Sequence, residues 1–272
     1  MTTPQAAKAR RFHELHHGKQ ILVLLNAWDA ASARIFEVAG APAIATTSSG
    51  VAASLGYPDG QKISRELMVG AVRQICRIVD IPVSVDFEAG YGATVTEVCA
   101  GLEAVIDAGG IGINIEDGMQ EPQVLSERIR AIRETAAARG LPLFINARTD
   151  VYLRGKGEPA ERFDDAVRRL HAYEVAGADG LFVPGLGDPQ TISKLLGEIH
   201  LPLNIMAGQG IPAVRELERL GVKRVSMGGG LQRAALTRAR QVAREVLDEG
   251  TYASFLGDTI SHAEQNELLQ ER

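Results

Sequence analysis

The chain has 272 residues, 45% of them hydrophobic, with 29 Lys and Arg against 34 Asp and Glu, a net charge of -5 and a pI near 5.7. One large core can be buried at that length, and α/β barrels of this size form a single domain. No basic block points to nucleic acid, no apolar run reaches membrane-spanning length, and the polar, helical start is unlike a secretion signal.

Residues 5–17 read as a leading helix carrying His13, His16 and His17. Their i, i+3 and i, i+4 spacing could hold a metal, but no carboxylate or cysteine cluster is near in sequence, so a solvated face is expected. Eight short apolar runs follow, at 21–25, 43–47, 83–86, 112–116, 143–147, 180–183, 203–206 and 224–227. Most are preceded by a helix-stopping glycine or by a proline, as at Gly40, Pro82, Gly109, Pro142, Gly177, Pro202 and Gly221. Amphipathic helices are predicted between them, among them 65–79, 94–108, 122–139 and 160–176. Cys76 and Cys99 fall inside apolar helical patterns without metal-type spacing, which suits core positions in a reducing cytoplasm. Eight β-then-α units predict an α/β fold, a (β/α)8 TIM-type barrel over 1–250. Helices at 235–247 and 252–269 are surplus to it. The extension 251–272 must bury Phe255, Leu256, Ile260, Leu268 and Leu269 somewhere, and a neighbouring subunit is expected.

Ligands in such barrels gather at the C-terminal ends of the strands. Polar residues there are Asn26 and Asp29 after the first run, Thr46, Thr47, Ser48 and Ser49 after the second, and Asp86 and Glu88 after the third. The fourth supplies Glu116 and Asp117, the fifth Asn146, Arg148 and Asp150, the seventh Asn204. Asp86 and Glu88 stand where a buried strand opens into Ala89-Gly90-Tyr91-Gly92, and could cap the next helix or hold a divalent cation. Carboxylates from two strands facing an arginine favour the cation, since a cation relieves their repulsion. Ser48 and Ser49 lack a histidine base, so nucleophilic serine chemistry is not expected. The run Met227-Gly228-Gly229-Gly230 is either a tight turn or a phosphate-binding helix start, the latter keeping a phosphorylated substrate in view. Trp28 could line the pocket or belong to the core.

Taken together, Ser49-Gly50-Val51-Ala52-Ala53-Ser54-Leu55-Gly56-Tyr57-Pro58-Asp59, Asp86-Phe87-Glu88-Ala89-Gly90-Tyr91-Gly92, Ile115-Glu116-Asp117 and Asn146-Ala147-Arg148 resemble the isocitrate lyase and phosphoenolpyruvate mutase superfamily. The resemblance spans nearly the whole barrel. It implies a tetramer whose terminal helix packs on a neighbour, and Mg²⁺, with Mn²⁺ as the alternative, bound directly by Asp86 and largely through water by Glu88 and Glu116. It makes Asp59 a site residue, Arg148 the contact to a bound oxo acid, and Thr47, Ser48, Ser49 and Gly50 the donors to its carboxylate. Asn204 is matched to the distal end of the substrate. The implied chemistry is carbon–carbon cleavage of a small 2-oxo or 2-hydroxy dicarboxylate through an enolate-like species.

The departures are specific. Where the lyases carry Lys-Lys-Cys-Gly-His, residues 116–122 read Glu-Asp-Gly-Met-Gln-Glu-Pro, with no cysteine, lysine or histidine. The lysine- and asparagine-bearing lid of the mutases is missing as well, and Glu88 stands where aspartate is usual. The expected activity is a Mg²⁺-dependent lyase or decarboxylase. Carbon–phosphorus chemistry and a non-catalytic 2-oxo acid binding protein are the alternatives.

Overall fold

A computed structural model describes residues 3–154, 157–257 and 259–270. Its strands are β1 Leu22–Ala27, β2 Ile44–Thr46, β3 Val83–Asp86, β4 Gly112–Glu116, β5 Phe144–Arg148, β6 Gly180–Phe182, β7 Leu203–Met206 and β8 Arg224–Ser226. All pair in parallel and in sequence order, and β8 closes onto β1 through Leu22↔Arg224, so the eight-stranded barrel is confirmed. Two strands run further than their apolar cores suggest. In β1, Asn26 and Ala27 still pair with β2, and in β5 Arg148 pairs with Glu116. Polar side chains at the inner mouth of a barrel hide a strand's true end from a reading of hydrophobicity.

The helices start on side-chain caps that the sequence supplies. Asp29 accepts from Ser32 N at 2.7 Å at the head of Ala30–Val38, which makes it a cap and not a ligand residue. Thr94 and Glu97 form a reciprocal box at the head of Val95–Asp107. The turn between β3 and that helix needs its glycines, because a Cβ at Gly90 would lie 2.9 Å from Val98 and one at Gly92 2.6 Å from Glu97 Cβ. Close approach of the helix thus presses the acidic turn against the barrel mouth.

The leading helix, Pro4–His16, closes the other end of the barrel. Phe12 meets Phe144 edge-on at 5.3 Å, and His16 stacks on Phe144 at 4.0 Å with its Nδ1 2.8 Å from Phe12 O. The solvated histidine face expected from sequence is therefore corrected: His16 is buried, His13 is half-buried with Nε2 3.1 Å from Pro142 O, and only His17 is exposed. An aromatic platform from β5 attracts what spacing alone left on the surface.

Beyond β8 runs the helix Gly230–Arg244, which widens into a π-turn at Glu245–Glu249. The expected helix over 252–269 is broken into a 3-10 turn, Ala253–Phe255, and a short helix, His262–Leu268, capped by Ser261. Its end touches its own barrel, where Arg34 Nε donates to Leu268 O at 2.9 Å. Leu247 and Leu256 stay 82% and 64% exposed. Residues 1, 2, 155, 156, 258, 271 and 272 of the two expected units lie outside the described residues.

Candidate active site

A cavity of about 180 Å³ opens at the C-terminal mouth of the barrel. Asn26, Asp86, Asp59, Arg148, Thr47, Ser48 and Ser49 line it, so seven of the sequence-predicted residues are brought together. Asp86 Oδ2 accepts from Ser48 N at 2.9 Å and Ser48 Oγ at 2.7 Å, and Asp86 N donates to Thr46 Oγ1 at 2.8 Å. These bonds fix the carboxylate of β3 against the loop that follows β2. Ser49 Oγ lies 3.1 Å from Thr47 Oγ1, which in turn caps Gly50 N.

Glu88 and Glu116 flank this group without lining the cavity. Glu88 sits in the left-handed region at φ 46°, accepts from Gln61 N at 2.8 Å and from the Tyr91 hydroxyl, and is buried. Such a backbone is uncommon for a residue with a side chain and is held here by both bonds. Burial pushes the Glu88 carboxyl up to about 7, against the Tyr91 bond and with help from Asp86 and Asp59. Glu116 is pushed up to about 8, again chiefly by burial, although Arg148 Nη1 lies 2.7 Å from its Oε2. Two carboxyls held above their usual range beside Asp86 are groups that a cation would return to the ionised state.

Arg148 is anchored on its other side, where Nε donates to Asp150 Oδ1 at 2.7 Å, and Arg154 also grips Asp150, at 3.1 Å. Asp150 is thus a buried orienting group. Asp117, grouped with the strand-end residues in the sequence, points away. Its carboxylate accepts from Met119 N at 3.0 Å, Asp150 N at 3.2 Å, Arg169 Nη1 at 3.1 Å and Tyr173 OH at 2.8 Å.

The remaining expectations divide. Gly50 lies below the cavity, its carbonyl taken by Gln232 Nε2 at 2.7 Å. A Cβ there would lie 2.5 Å from Thr47 Cγ2, so glycine is required for packing. Asn204 is 0% exposed and does not line the cavity; strand alternation brings Met206 to the mouth one layer above it. Asn26 is a tie between strands: its Oδ1 accepts from Met227 N at 2.8 Å and Gly228 N at 3.0 Å, and its Nδ2 donates to Thr46 O at 2.9 Å. Two amides of the glycine-rich turn are therefore spent inside the protein, which favours the tight-turn reading over a phosphate site. Trp28 packs edge-on to Phe36 at 6.1 Å.

Arg233 was not among the sequence candidates, yet it lines the cavity beside Ser49 and Gly229. A Cβ at Gly229 would lie 2.6 Å from Ser49 Oγ and 2.9 Å from Arg233 Nη1, so the bare glycine lets both reach inward. The available signal was an arginine in the first turn of the helix after the last strand.

The family description Phosphoenolpyruvate phosphomutase matches residues 12–247 of the chain. The chain belongs to that family. An uncharacterized protein of Mycobacterium tuberculosis strain H37Rv is 37% identical over 242 residues, covering 87% of this chain and 89% of its own. An oxaloacetate decarboxylase of Bradyrhizobium sp. strain BTAi1 is 31% identical over 226 residues, covering 78% and 75%. A Burkholderia cenocepacia J2315 protein described as a candidate lyase/mutase superposes with a TM-score of 0.90 at 35% identity, over 97% of each chain. The chain is accordingly an enzyme of the isocitrate lyase and phosphoenolpyruvate mutase superfamily, as its motifs implied.

Proposed function

We propose that the chain is a divalent-cation-dependent carbon–carbon lyase or decarboxylase acting on a small 2-oxo dicarboxylate of the oxaloacetate class. The observation that carries this is one cavity lined at once by Asp86 and by two arginines, Arg148 and Arg233. The decarboxylase relative supports the substrate class.

The donor set fits Mg²⁺, or Mn²⁺ in its place. Among the described residues no three Asp, Glu, His or Cys groups converge closely enough to ligate an ion directly. Mg²⁺ needs no such cage, since it keeps several waters and takes one or two carboxylates plus substrate oxygens. Asp86 would hold it directly, with Glu88 and Glu116 reached through water. Once bound, the cation supplies a Lewis acid for the carboxylate and carbonyl oxygens of a 2-oxo acid.

The protein's own groups supply orientation and charge. Thr47, Ser48 and Ser49 offer hydroxyls to the carboxylate next to the oxo group. Arg148 is held rigid by Glu116 and Asp150, and its Nη2 has no hydrogen-bond partner among the described residues. As the carbon–carbon bond breaks, its electron pair moves toward the oxo oxygen, and this preorganised guanidinium is placed to meet the developing charge. Arg233 takes the distal carboxylate, the role the sequence had given to Asn204. Asp59, at the cavity edge, completes the anionic rim.

No lysine, cysteine or histidine lines this cavity among the described residues, which leaves proton delivery to solvent. Thermal-shift titration with oxalate, pyruvate and oxaloacetate, with and without Mg²⁺, is run beside a turnover assay on oxaloacetate. Mg²⁺-dependent stabilisation with turnover is expected. Stabilisation without turnover of oxaloacetate moves the substrate to another 2-oxo acid, and no stabilisation by any of these acids removes the reading.

The exposed Leu247, Tyr252, Phe255 and Leu256 support a homo-oligomer, read here as a tetramer, formed through this terminal segment. No described helix is long and apolar enough to cross a membrane, and the free thiols accord with a cytoplasmic location.

A further inference from the structure

Barrel interiors of this kind are usually filled with branched apolar side chains. At and just beneath the floor of the cavity this barrel is polar instead. Ser84 of β3, Asn114 of β4, Asn146 of β5, Asn204 of β7 and Arg224 of β8 are all buried, Arg224 at 0% exposure. Arg224 Nη2 donates to Asn114 Oδ1 at 3.1 Å, and Asn146 Nδ2 donates to the same oxygen at 2.8 Å. Nε and Nη1 of Arg224 have no acceptor among the described residues, and the carboxylate whose charge it feels is Asp86 above it. Burial pushes its pKa down to about 9, which leaves the guanidinium charged at neutral pH.

A buried cation without an ion-pair partner costs stability, and an apolar side chain of similar volume usually fills such a place at least as well. Packing therefore gives no reason for arginine here. Position does: Ser226, two residues further along β8, and Asn114 both line the cavity. With two donors on its Oδ1, the Asn114 amide is oriented, and its Nδ2 has no hydrogen-bond partner among the described residues.

We propose that Arg224 is the fixed counter-charge of the active site, a positioning residue that favours an anionic ligand from below through its field and through the oriented Asn114 amide. The inference rests on the 2-oxo acid reading and adds a determinant to it. The low dielectric of the barrel strengthens the field, since little solvent intervenes between Arg224 and the cavity. Arg224 remains a positioning group, because it does not itself line the cavity.

The test compares the parent with Arg224→Met and Arg224→Gln, by calorimetric titration with oxalate at saturating Mg²⁺, by titration with Mg²⁺ alone, and by thermal melting. Met removes charge and donor; Gln removes the charge but keeps an amide donor for Asn114. Oxalate binding is expected to weaken about tenfold in Met and several-fold in Gln. Affinity for Mg²⁺ alone should not fall, and the melting temperature of the Met variant should hold or rise. Oxalate affinity unchanged in Gln overturns the counter-charge role. Loss of oxalate and Mg²⁺ affinity together, or failure of both variants to fold, marks Arg224 as structural and overturns it too. A parent that binds no oxalate sinks the functional reading along with this inference, whereas a parent and variants that bind it equally sink this inference alone.

Discussion

Arg148 Nη1 lies 2.7 Å from Glu116 Oε2, on the adjacent strand that pairs with it residue for residue. With Asp150 on Nε at 2.7 Å, the guanidinium is held from two sides before any ligand arrives. Lysine cannot reproduce that fork. Arg148→Lys should therefore weaken 2-oxo acid binding and lower turnover together, by about 1.5–3 kcal/mol for the lost charge-assisted bond. Steady-state kinetics beside oxalate titration would show it; normal affinity in the variant would remove Arg148 from the ligand site.

On the proposed reading, Arg233 separates dicarboxylates from monocarboxylates. Arg233→Met should cost oxaloacetate binding about 1.5–3 kcal/mol and leave pyruvate binding nearly unchanged. Equal losses for the two acids would show that Arg233 shapes the cavity rather than recognising the distal group.

The metal reading predicts a pH dependence of definite sign. Glu88 and Glu116 hold protons up to about 7 and 8 in the fold, whereas in the unfolded chain they are lost near ordinary carboxylate values. The folded state binds more protons across that window, so these two groups make stability fall as pH rises through it. A bound cation favours the ionised forms. The melting shift produced by Mg²⁺ should therefore be larger at about pH 8.5 than at about pH 6, and Asp86→Ala should abolish it at both. A shift that shrinks with rising pH, or that survives Asp86→Ala, would contradict the site.

Truncation after Gly250 tests the terminal segment. If its apolar side chains are covered by a second copy, light scattering should report a smaller particle and melting should occur at lower temperature. An unchanged particle size would assign the segment to its own barrel, through contacts like that of Arg34 with Leu268 O.

The barrel was legible because each strand is a short apolar run between helix stops, and because the charged residues at the strand ends cluster in sequence order. What escaped was orientation. Asp117 and Glu116 are neighbours, yet strand alternation sends one to the site and the other to Arg169 and Tyr173. Asn204 and Met206 lie on the same face of β7 but in different layers, and sequence spacing does not say which layer meets the ligand. The burial of Arg224 and of His16 was hidden for a related reason: a charged or titratable residue that the fold encloses looks like a surface residue until the elements around it are known. Arg233 follows three glycines whose own pattern points to a turn or a phosphate site, which masks an arginine in the first turn of that helix.

The anchoring of Asp117 has a kinetic side. Its carboxylate pins the short connection after β4 to two side chains of the helix Pro159–Ala176 and to the amide of Asp150. A segment moored at three points cannot swing across the mouth as a cover. On the lyase reading, with this connection unable to close over the mouth, turnover should be limited by bond cleavage or proton delivery from solvent, and the rate should respond to heavy water but not to added viscogen.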